Sequence, residues 1–171
     1  MNMTNIKTAI KKCIIPILFF AIFDSSANTK VIGLIINQSS LDDVVKLYET
    51  EKDGVNSYSI SPDQIPLKGV SETFVTVIDD VVKVVGFKFY DSKFPYLNDI
   101  LKAKYTLVSE KGNYPFPAIS TFENDGDMIF LKYNGGQYID LIYVNKEYNI
   151  SVNKSSKKRK ETERDNDLSH L

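Results

Sequence analysis

The run FVTVIDDVVKVVGFKFY, residues 74–90, has the pattern of two strands joined by a tight turn. Apolar, β-branched and aromatic residues fill it on both sides of one polar dipeptide, Asp79-Asp80. Such residues fit the pleated surface of a strand, and a two-residue polar break is typical of a tight hairpin turn. The stretch therefore predicts an antiparallel hairpin with strands Phe74–Ile78 and Val81–Tyr90.

Downstream, the same pattern returns in three apolar runs separated by glycine-containing turns. The dipeptides Asp125-Gly126 and Gly135-Gly136 tolerate the positive φ angles that hairpin turns require. The predicted strands are Ile119–Glu123, Met128–Tyr133 and Tyr138–Val144. A short strand near Tyr58–Ile60, followed by a long loop, completes a predicted meander of antiparallel strands.

Two further stretches have the spacing of amphipathic helices. Their apolar stripes are Leu41, Val44, Val45 and Tyr48, and then Leu97, Ile100, Leu101 and Tyr105. Ser40 with Asp43 is typical of a capping box, whereas Pro95 suits a first helical turn with Asp91 or Ser92 as its cap. Each helix has one apolar side to bury. We therefore predict an α+β fold with two helices packed on one face of the sheet.

An internal similarity links the two halves of the chain. Lys30–Ile36 reappears as Lys83–Phe89 at an offset of 53 residues, and a helical pattern follows each copy. Similarity at a fixed offset is the signature of duplicated supersecondary units. We predict duplicated strand-helix-strand units, repeated as residues 30–80 and 83–144, within a single domain that spans residues 28–152.

The N-terminus has the three parts of a secretory signal peptide. Lysines precede an apolar run of 11 residues, Cys13–Phe23, and Ser25-Ser26-Ala27 offers small residues at a cleavage site. A bilayer span needs about 20 apolar residues, so this run is short for an anchor. We predict a signal peptide over residues 1–27, a mature chain that begins near Asn28, and a periplasmic or secreted location.

Composition excludes several kinds of chemistry in the mature chain. The only cysteine, Cys13, leaves with the signal peptide, and the only histidine, His170, is the penultimate residue. A catalytic triad needs histidine, and zinc sites are built mainly from cysteine and histidine. We therefore expect no cofactor and no metal. Residues 28–152 contain 12 Lys against 17 acidic residues, a net charge of −5, which disfavours nucleic acid as a partner.

Two aromatic clusters near predicted loops are candidate partner-binding residues. The first contains Tyr90 and Tyr96, and the second is the run Tyr114, Pro115, Phe116 and Pro117. Aromatic side chains with polar tips are enriched at protein interfaces, although they are equally at home in a core. The run is our first choice because its two prolines hold it outside a strand ladder.

Other motifs have structural explanations that we weigh more heavily. The loop Glu123–Asp127 resembles a cation site, but its spacing fails the calcium-loop pattern and predicts a hairpin turn. The pairs Asp42-Asp43 and Asp79-Asp80 are candidate catalytic acids, yet a helix start and a turn account for them. The basic run Lys157–Lys160 belongs to a charged tail, residues 153–171, that we expect to be disordered.

A family resemblance rests on the residues around the first helix. The run Gly33 to Val44, with Ser40 and Asp43 before the apolar stripe, is similar to the opening of small outer-membrane assembly lipoproteins of the SmpA/OmlA group. The tandem helix-plus-sheet units resemble the β-lactamase-inhibitory-protein type of architecture and, more broadly, exported bacterial proteins. The likeness covers residues 30–48, with an echo at 83–105. The resemblance implies a protein-binding scaffold.

Three functions remain open from the sequence. The first is a non-enzymatic module that binds another protein of the cell envelope or outside the cell. The second is a hydrolase that uses carboxylates alone, at Asp42 or Asp79, on cell-envelope sugars. The third is an envelope protein tethered to the membrane by an uncleaved N-terminal helix.

Overall fold

The computed structural model describes residues 29–170. The predicted signal peptide, with Cys13, lies outside these residues. Within them, the chain forms one eight-stranded antiparallel sheet, one two-stranded hairpin and three α-helices. This architecture confirms the predicted α+β class.

The elements follow one another along the chain with short connections. The strands are β1 Lys30–Val31, β2 Leu34–Ile35, β3 Thr50–Lys52, β4 Ser57–Ile60, β5 Val70–Ile78, β6 Val81–Tyr90, β7 Thr106–Gly112, β8 Ala118–Asn124, β9 Asp127–Tyr133 and β10 Tyr138–Asn145. The α-helices are α1 Leu41–Leu47, α2 Phe94–Lys104 and α3 Lys146–His170, and short 3-10 turns lie at Pro62–Gln64 and Asp91–Lys93.

The eight-stranded sheet consists of two meanders joined along one seam. Its strand order is β3-β4-β5-β6-β10-β9-β8-β7, so α1 precedes one four-strand meander and α2 precedes the other. The last strand of each meander, β6 and β10, pair with each other, from Tyr90 opposite Tyr138 to Val84 opposite Val144. The edge strands are β3, which has three residues, and β7.

One face of this sheet forms the core with α1 and α2. Alternate side chains of the strands point to that face, and the fully buried ones include Val75, Phe87, Phe89, Phe122, Ile129, Leu131 and Ile139. Val44 of α1 and Leu101 of α2 belong to the same buried cluster. Both helices therefore cover this face, but Val45 and Ile100 of the predicted apolar stripes are exposed. Burying one such large side chain contributes about 2 kcal/mol.

The predicted hairpins and the first cap are confirmed. Asp79 and Asp80 both have positive φ, 50° and 59°, as a two-residue turn between β5 and β6 requires. Ser40 and Asp43 form the capping box at the start of α1. The predicted cap of α2 is wrong, because Lys93 occupies its N-cap without a side-chain hydrogen bond. Asp91 instead accepts a hydrogen bond from the backbone N–H of Ser92 at 2.8 Å.

The structure does not confirm the duplication of strand-helix-strand units. The heptapeptide Lys83–Phe89 lies within the ten-residue strand β6, whereas Lys30–Ile36 folds into the small hairpin β1–β2. Ile32 and Gly33 have φ angles of 46° and 84° and form the turn between these two strands. Gly33 is thus a turn residue in the first copy, whereas Gly86 lies within a strand in the second. Two similar apolar segments thus adopt different structures, a hairpin in one case and a single strand in the other.

The tail also differs from the expectation of disorder. Residues 146–170 form the continuous helix α3, which begins where the Asn145 side chain accepts a hydrogen bond from the N–H of Tyr148 at 3.1 Å. Lys157 and Arg159 lie one turn before Glu161 and Glu163, with N–O distances of 3.9 Å and 3.8 Å. Pairs at this spacing add a few tenths of a kcal/mol each to a helix. The basic run therefore lies on a helix that buries none of its side chains.

Candidate functional site

The aromatic residues singled out from the sequence converge on one end of the sheet. At this end β6 finishes at Tyr90, β10 starts at Tyr138, and the β7–β8 loop carries Tyr114–Pro117. Antiparallel pairing brings these distant segments together, because strand ends alternate along a meander. We call this region, with the first turn of α2, the aromatic end.

Tyr90 and Tyr138 form an exposed pair on the face of the sheet opposite the helices. They are directly opposite each other in the β6–β10 register, and their ring centroids lie 5.3 Å apart. The neighbouring residues Phe89 and Ile139 point into the core, so alternation places both tyrosines outside. Lys88 Nζ lies 5.9 Å from the Tyr138 ring and forms an ion pair with Glu72. Tyr90 remains 55% exposed.

Within the β7–β8 loop, neighbouring residues have opposite environments. The Tyr114 ring stacks on Phe94 at 5.7 Å with an interplanar angle of 7°, and it lies 5.4 Å from the Tyr133 ring. These contacts attach Tyr114 to the core cluster. Phe116, two residues later, is 72% exposed, although its N–H donates to the Asn113 carbonyl at 2.8 Å. The loop is therefore anchored by one ring and presents another to solvent.

The remaining predicted residues complete the aromatic end. Tyr96, in the first turn of α2, is 61% exposed, and Lys93 Nζ lies 5.8 Å from its ring. Pro115 and Pro117 are exposed on either side of Phe116. Three of the four predicted aromatic residues thus present their rings to solvent, whereas Tyr114 packs against the core cluster.

Tyr138 is not among the candidate site residues predicted from the sequence. Tyr138 is the first residue of β10, directly across from Tyr90. This pairing depends on how the two meanders are arranged in the sheet, which the sequence pattern does not predict. The one sequence feature that could have indicated it is the Gly135-Gly136 turn two residues earlier, because a residue beside a turn lies at the end of a strand.

A glycine of the central strand β6 accommodates a ring from β5. Phe74 pairs directly with Gly86, and a Cβ atom at Gly86 would lie 2.1 Å from the Phe74 ring. The close contact at this glycine comes from the neighbouring strand of the same sheet. The ring covers the glycine on the face opposite the helices.

At the other end of the sheet, one member of each carboxylate pair, Asp43 or Asp80, accepts a hydrogen bond at the start of α1. The Asp80 carboxylate accepts a hydrogen bond from the Leu41 N–H at 3.2 Å, and Asp43 accepts from the Ser40 N–H at 2.9 Å. The hydrogen bonds from Ser40 hold the pKa of Asp43 below its usual value. These contacts satisfy the first N–H groups of α1. Helix capping therefore explains the positions of Asp43 and Asp80.

The acidic loop Glu123–Asp127 forms the predicted hairpin turn between β8 and β9. Asp125 and Gly126 have positive φ angles of 46° and 83°. Asp127 points inward and accepts a hydrogen bond from the Thr29 N–H at 2.9 Å. Among residues 29–170, no group of three or more His, Cys, Asp or Glu side chains is arranged to hold a metal ion.

Comparisons with known proteins leave the family open. No protein-family model matches the chain, and neither the curated proteins nor the solved structures contain a match. In the part of the chain that the structure describes, no helix combines the length and apolar character needed to cross a membrane.

Proposed function

We propose that this protein is an exported, non-enzymatic module that binds another protein of the cell envelope or outside the cell. The observation that carries the proposal is the exposure of Tyr90, Tyr96, Phe116 and Tyr138 around one end of the sheet. Large aromatic rings contribute much of the energy of protein interfaces, because they bury a large area and lose little side-chain entropy.

The construction of the aromatic end also favours binding. Tyr114 and Phe94 stack beneath the loop, so Phe116 is held on a rigid support. A preorganised contact loses less conformational entropy on binding than a flexible one. Lys88 and Lys93 lie beside exposed rings and add donors for a polar rim around an aromatic centre. We propose Phe116 as the central contact.

Photocrosslinking in the producing cells tests this proposal. The full chain would carry a photoreactive phenylalanine at position 116, or at the matched control position Val55. Val55 is 85% exposed and lies in the β3–β4 turn, at the end of the sheet away from Phe116. We expect one discrete crosslinked protein from position 116 and none from position 55. Equal products from both positions, or none from position 116, would overturn the proposal.

Affinity for the crosslinked protein then provides the quantitative test. Purified Phe116→Ala should bind that protein about tenfold more weakly, as expected for a hot-spot residue, whereas Val55→Ala should bind it unchanged. Both changes remove an exposed apolar side chain, so their effects on folding should be similarly small. Unchanged binding by Phe116→Ala would place the interface elsewhere.

A further inference from the structure

A buried polar cluster lies at the end of the sheet opposite the aromatic end. Asp127, at the start of β9, has 0% exposure, and Thr29 and Asn145 are buried beside it. The Asp127 Oδ2 atom accepts the Thr29 N–H at 2.9 Å, and the Thr29 hydroxyl donates to the Asn124 carbonyl at 3.3 Å. The cluster thus ties residue 29 to a turn almost a hundred residues further along the chain.

The Asp127 carboxylate has an unused acceptor. Its Oδ1 atom is buried and has no hydrogen-bond partner within residues 29–170. Burial raises the pKa of Asp127, and the hydrogen bonds from Thr29 and Asn145 only partly oppose this shift. Lys146 lies beside this turn, but its Nζ atom forms an ion pair with Glu123 at 2.6 Å. A buried carboxylate is costly without a cation, so a positive charge beside Asp127 would be favourable.

The predicted cleavage site would generate that charge next to the cluster. Hydrolysis of the Ala27–Asn28 peptide bond by a signal-peptide-cleaving protease consumes one water molecule. It leaves a carboxylate on Ala27 and an α-ammonium on Asn28. The Asn28 nitrogen is three covalent bonds from the Thr29 nitrogen, so the two atoms lie within about 4 Å of each other. Because the Thr29 N–H already contacts Oδ2, the α-ammonium can reach the same carboxylate.

We propose that Asp127 is the binding site for the α-ammonium of Asn28, which signal-peptide removal creates. The ion pair would neutralise the buried carboxylate and fix the start of the mature chain against the β8–β9 turn. In the unprocessed chain, residue 28 offers only a neutral amide N–H. Processing would therefore stabilise the folded domain. This inference rests on the export part of the proposed function but not on the aromatic end.

The experiment compares two exported proteins that differ only at their N-termini. One is the full chain as it is, and the other carries Gly-Ser inserted between Ala27 and Asn28, so that processing leaves the ammonium two residues away. Mass spectrometry identifies each mature N-terminus. We expect the native terminus at Asn28 and a Tm about 5 °C higher than that of the inserted variant. A mature chain that begins elsewhere, or equal Tm values, would overturn the inference.

Two acidic residues of the same turn provide matched variants. Asp127→Asn should abolish the Tm difference between the two termini, whereas Asp125→Asn, at the exposed turn position, should preserve it. If Asp127→Asn fails to fold, the wild-type protein still allows a test. The α-amine of an ion pair is less nucleophilic, so its acylation near neutral pH should be about tenfold slower than in the inserted variant. Equal acylation rates would contradict the ion pair.

These readouts are separate from partner binding. Loss of crosslinking at Phe116 with a processed, stabilised N-terminus would remove the binding proposal and leave this one intact. The converse result would remove only the role of Asp127.

Discussion

The two ends of the eight-stranded sheet differ in the side chains that lie at the ends of the strands. At the polar end, which comprises the β5–β6 and β8–β9 turns and the start of α1, side chains accept backbone hydrogen bonds. Asp80 and Asp127 accept from distant N–H groups of Leu41 and Thr29. At the aromatic end, rings cover the strand ends, and several stay exposed. At the polar end, contacts within the molecule already use the side-chain acceptors, so few of them are free to bind a partner. At the aromatic end, the exposed rings remain free to make such contacts.

The two core-facing helices show the same contrast. α1 starts at the polar end with a complete capping box between Ser40 and Asp43. α2 starts at the aromatic end without a side-chain cap, with Pro95 in its first turn and Phe94 stacked on Tyr114. Hydrogen bonds therefore define one helix start, and ring packing defines the other. Mutations at matched positions of the two ends test this difference.

The largest expected effect comes from two glycines at opposite ends of the sheet, one in the last position of β7 and one in the β8–β9 turn. Gly112 has a φ of 73°, and an added Cβ atom would lie 1.9 Å from the Pro117 carbonyl oxygen. Gly126 has a φ of 83° but has nothing within 4 Å of that position. We expect Gly112→Ala to lower the free energy of unfolding by about 3 kcal/mol, from clash and backbone strain. Gly126→Ala should cost about 1 kcal/mol. Urea denaturation measures both values.

The control is Gly136→Ala, in an open position without a positive φ. It should leave the free energy of unfolding within about 0.5 kcal/mol of wild type. Equal losses for Gly112→Ala and Gly126→Ala would show that the β7–β8 loop is not closely packed against its own backbone.

An intermediate effect should separate two rings of one loop. Tyr114→Ala removes the stack on Phe94 and the contact with Tyr133, and we expect it to destabilise the fold by about 2 kcal/mol. Phe116→Ala removes an exposed ring and should change stability by less than about 0.5 kcal/mol. Thermal unfolding followed by circular dichroism measures the difference. A loss at Phe116 as large as that at Tyr114 would contradict the division into supporting and exposed rings.

The smallest expected effect concerns the helix caps. Ser40→Ala removes the capping box of α1 and should cost about 1 kcal/mol of unfolding free energy. Ser92→Ala, before α2, should cost less than about 0.5 kcal/mol, because no side chain caps that helix. Chemical denaturation at neutral pH compares the two variants. Similar losses would mean that α2 also depends on its serine.

Acidification provides a second readout of the same cap. The folded pKa of Asp43 is below its ordinary value of 3.8, so the unfolded chain binds the proton first as the pH falls. The stabilisation is complete above pH 3.8 and is lost as the pH falls from there through the folded pKa. Asp43→Asn should therefore weaken the loss of stability in acid. An unchanged acid profile would remove the charged cap from the explanation.

Local features of this fold were predictable from the sequence because neighbouring residues determine them. The Asp79-Asp80 turn, the Asp125-Gly126 turn and the capping box each depend on a few consecutive residues, and the structure confirms all three. The exposed aromatic residues near loops were also recognisable, although their gathering at one end depends on strand order. Sequence patterns predict elements better than they predict which elements meet.

The wrong predictions arose for two reasons: tertiary context decides some features, and composition alone does not reveal the local contacts behind others. Val-Ile-Gly-Leu-Ile fits a strand, but around Gly33 the chain turns back and Ile36 N–H donates to the Thr29 carbonyl at 3.0 Å. The tail composition suggested disorder, yet the Asn145 cap and spaced charge pairs accompany a helix. The contact between Thr29 and Asp127 spans 98 residues, and no local pattern announces it.

The seam between β6 and β10 has a consequence for how the molecule is assembled. Every other neighbouring pair in the eight-stranded sheet joins strands that are consecutive in the chain, whereas Tyr90 meets Tyr138 across the entire second meander. Closing a long loop costs more entropy than closing a hairpin, and such distant pairings form slowly. We therefore expect the β6–β10 pairing to form later than the hairpins within each meander. Before this pairing forms, β6 and β10 are each an unpaired edge strand of their own meander.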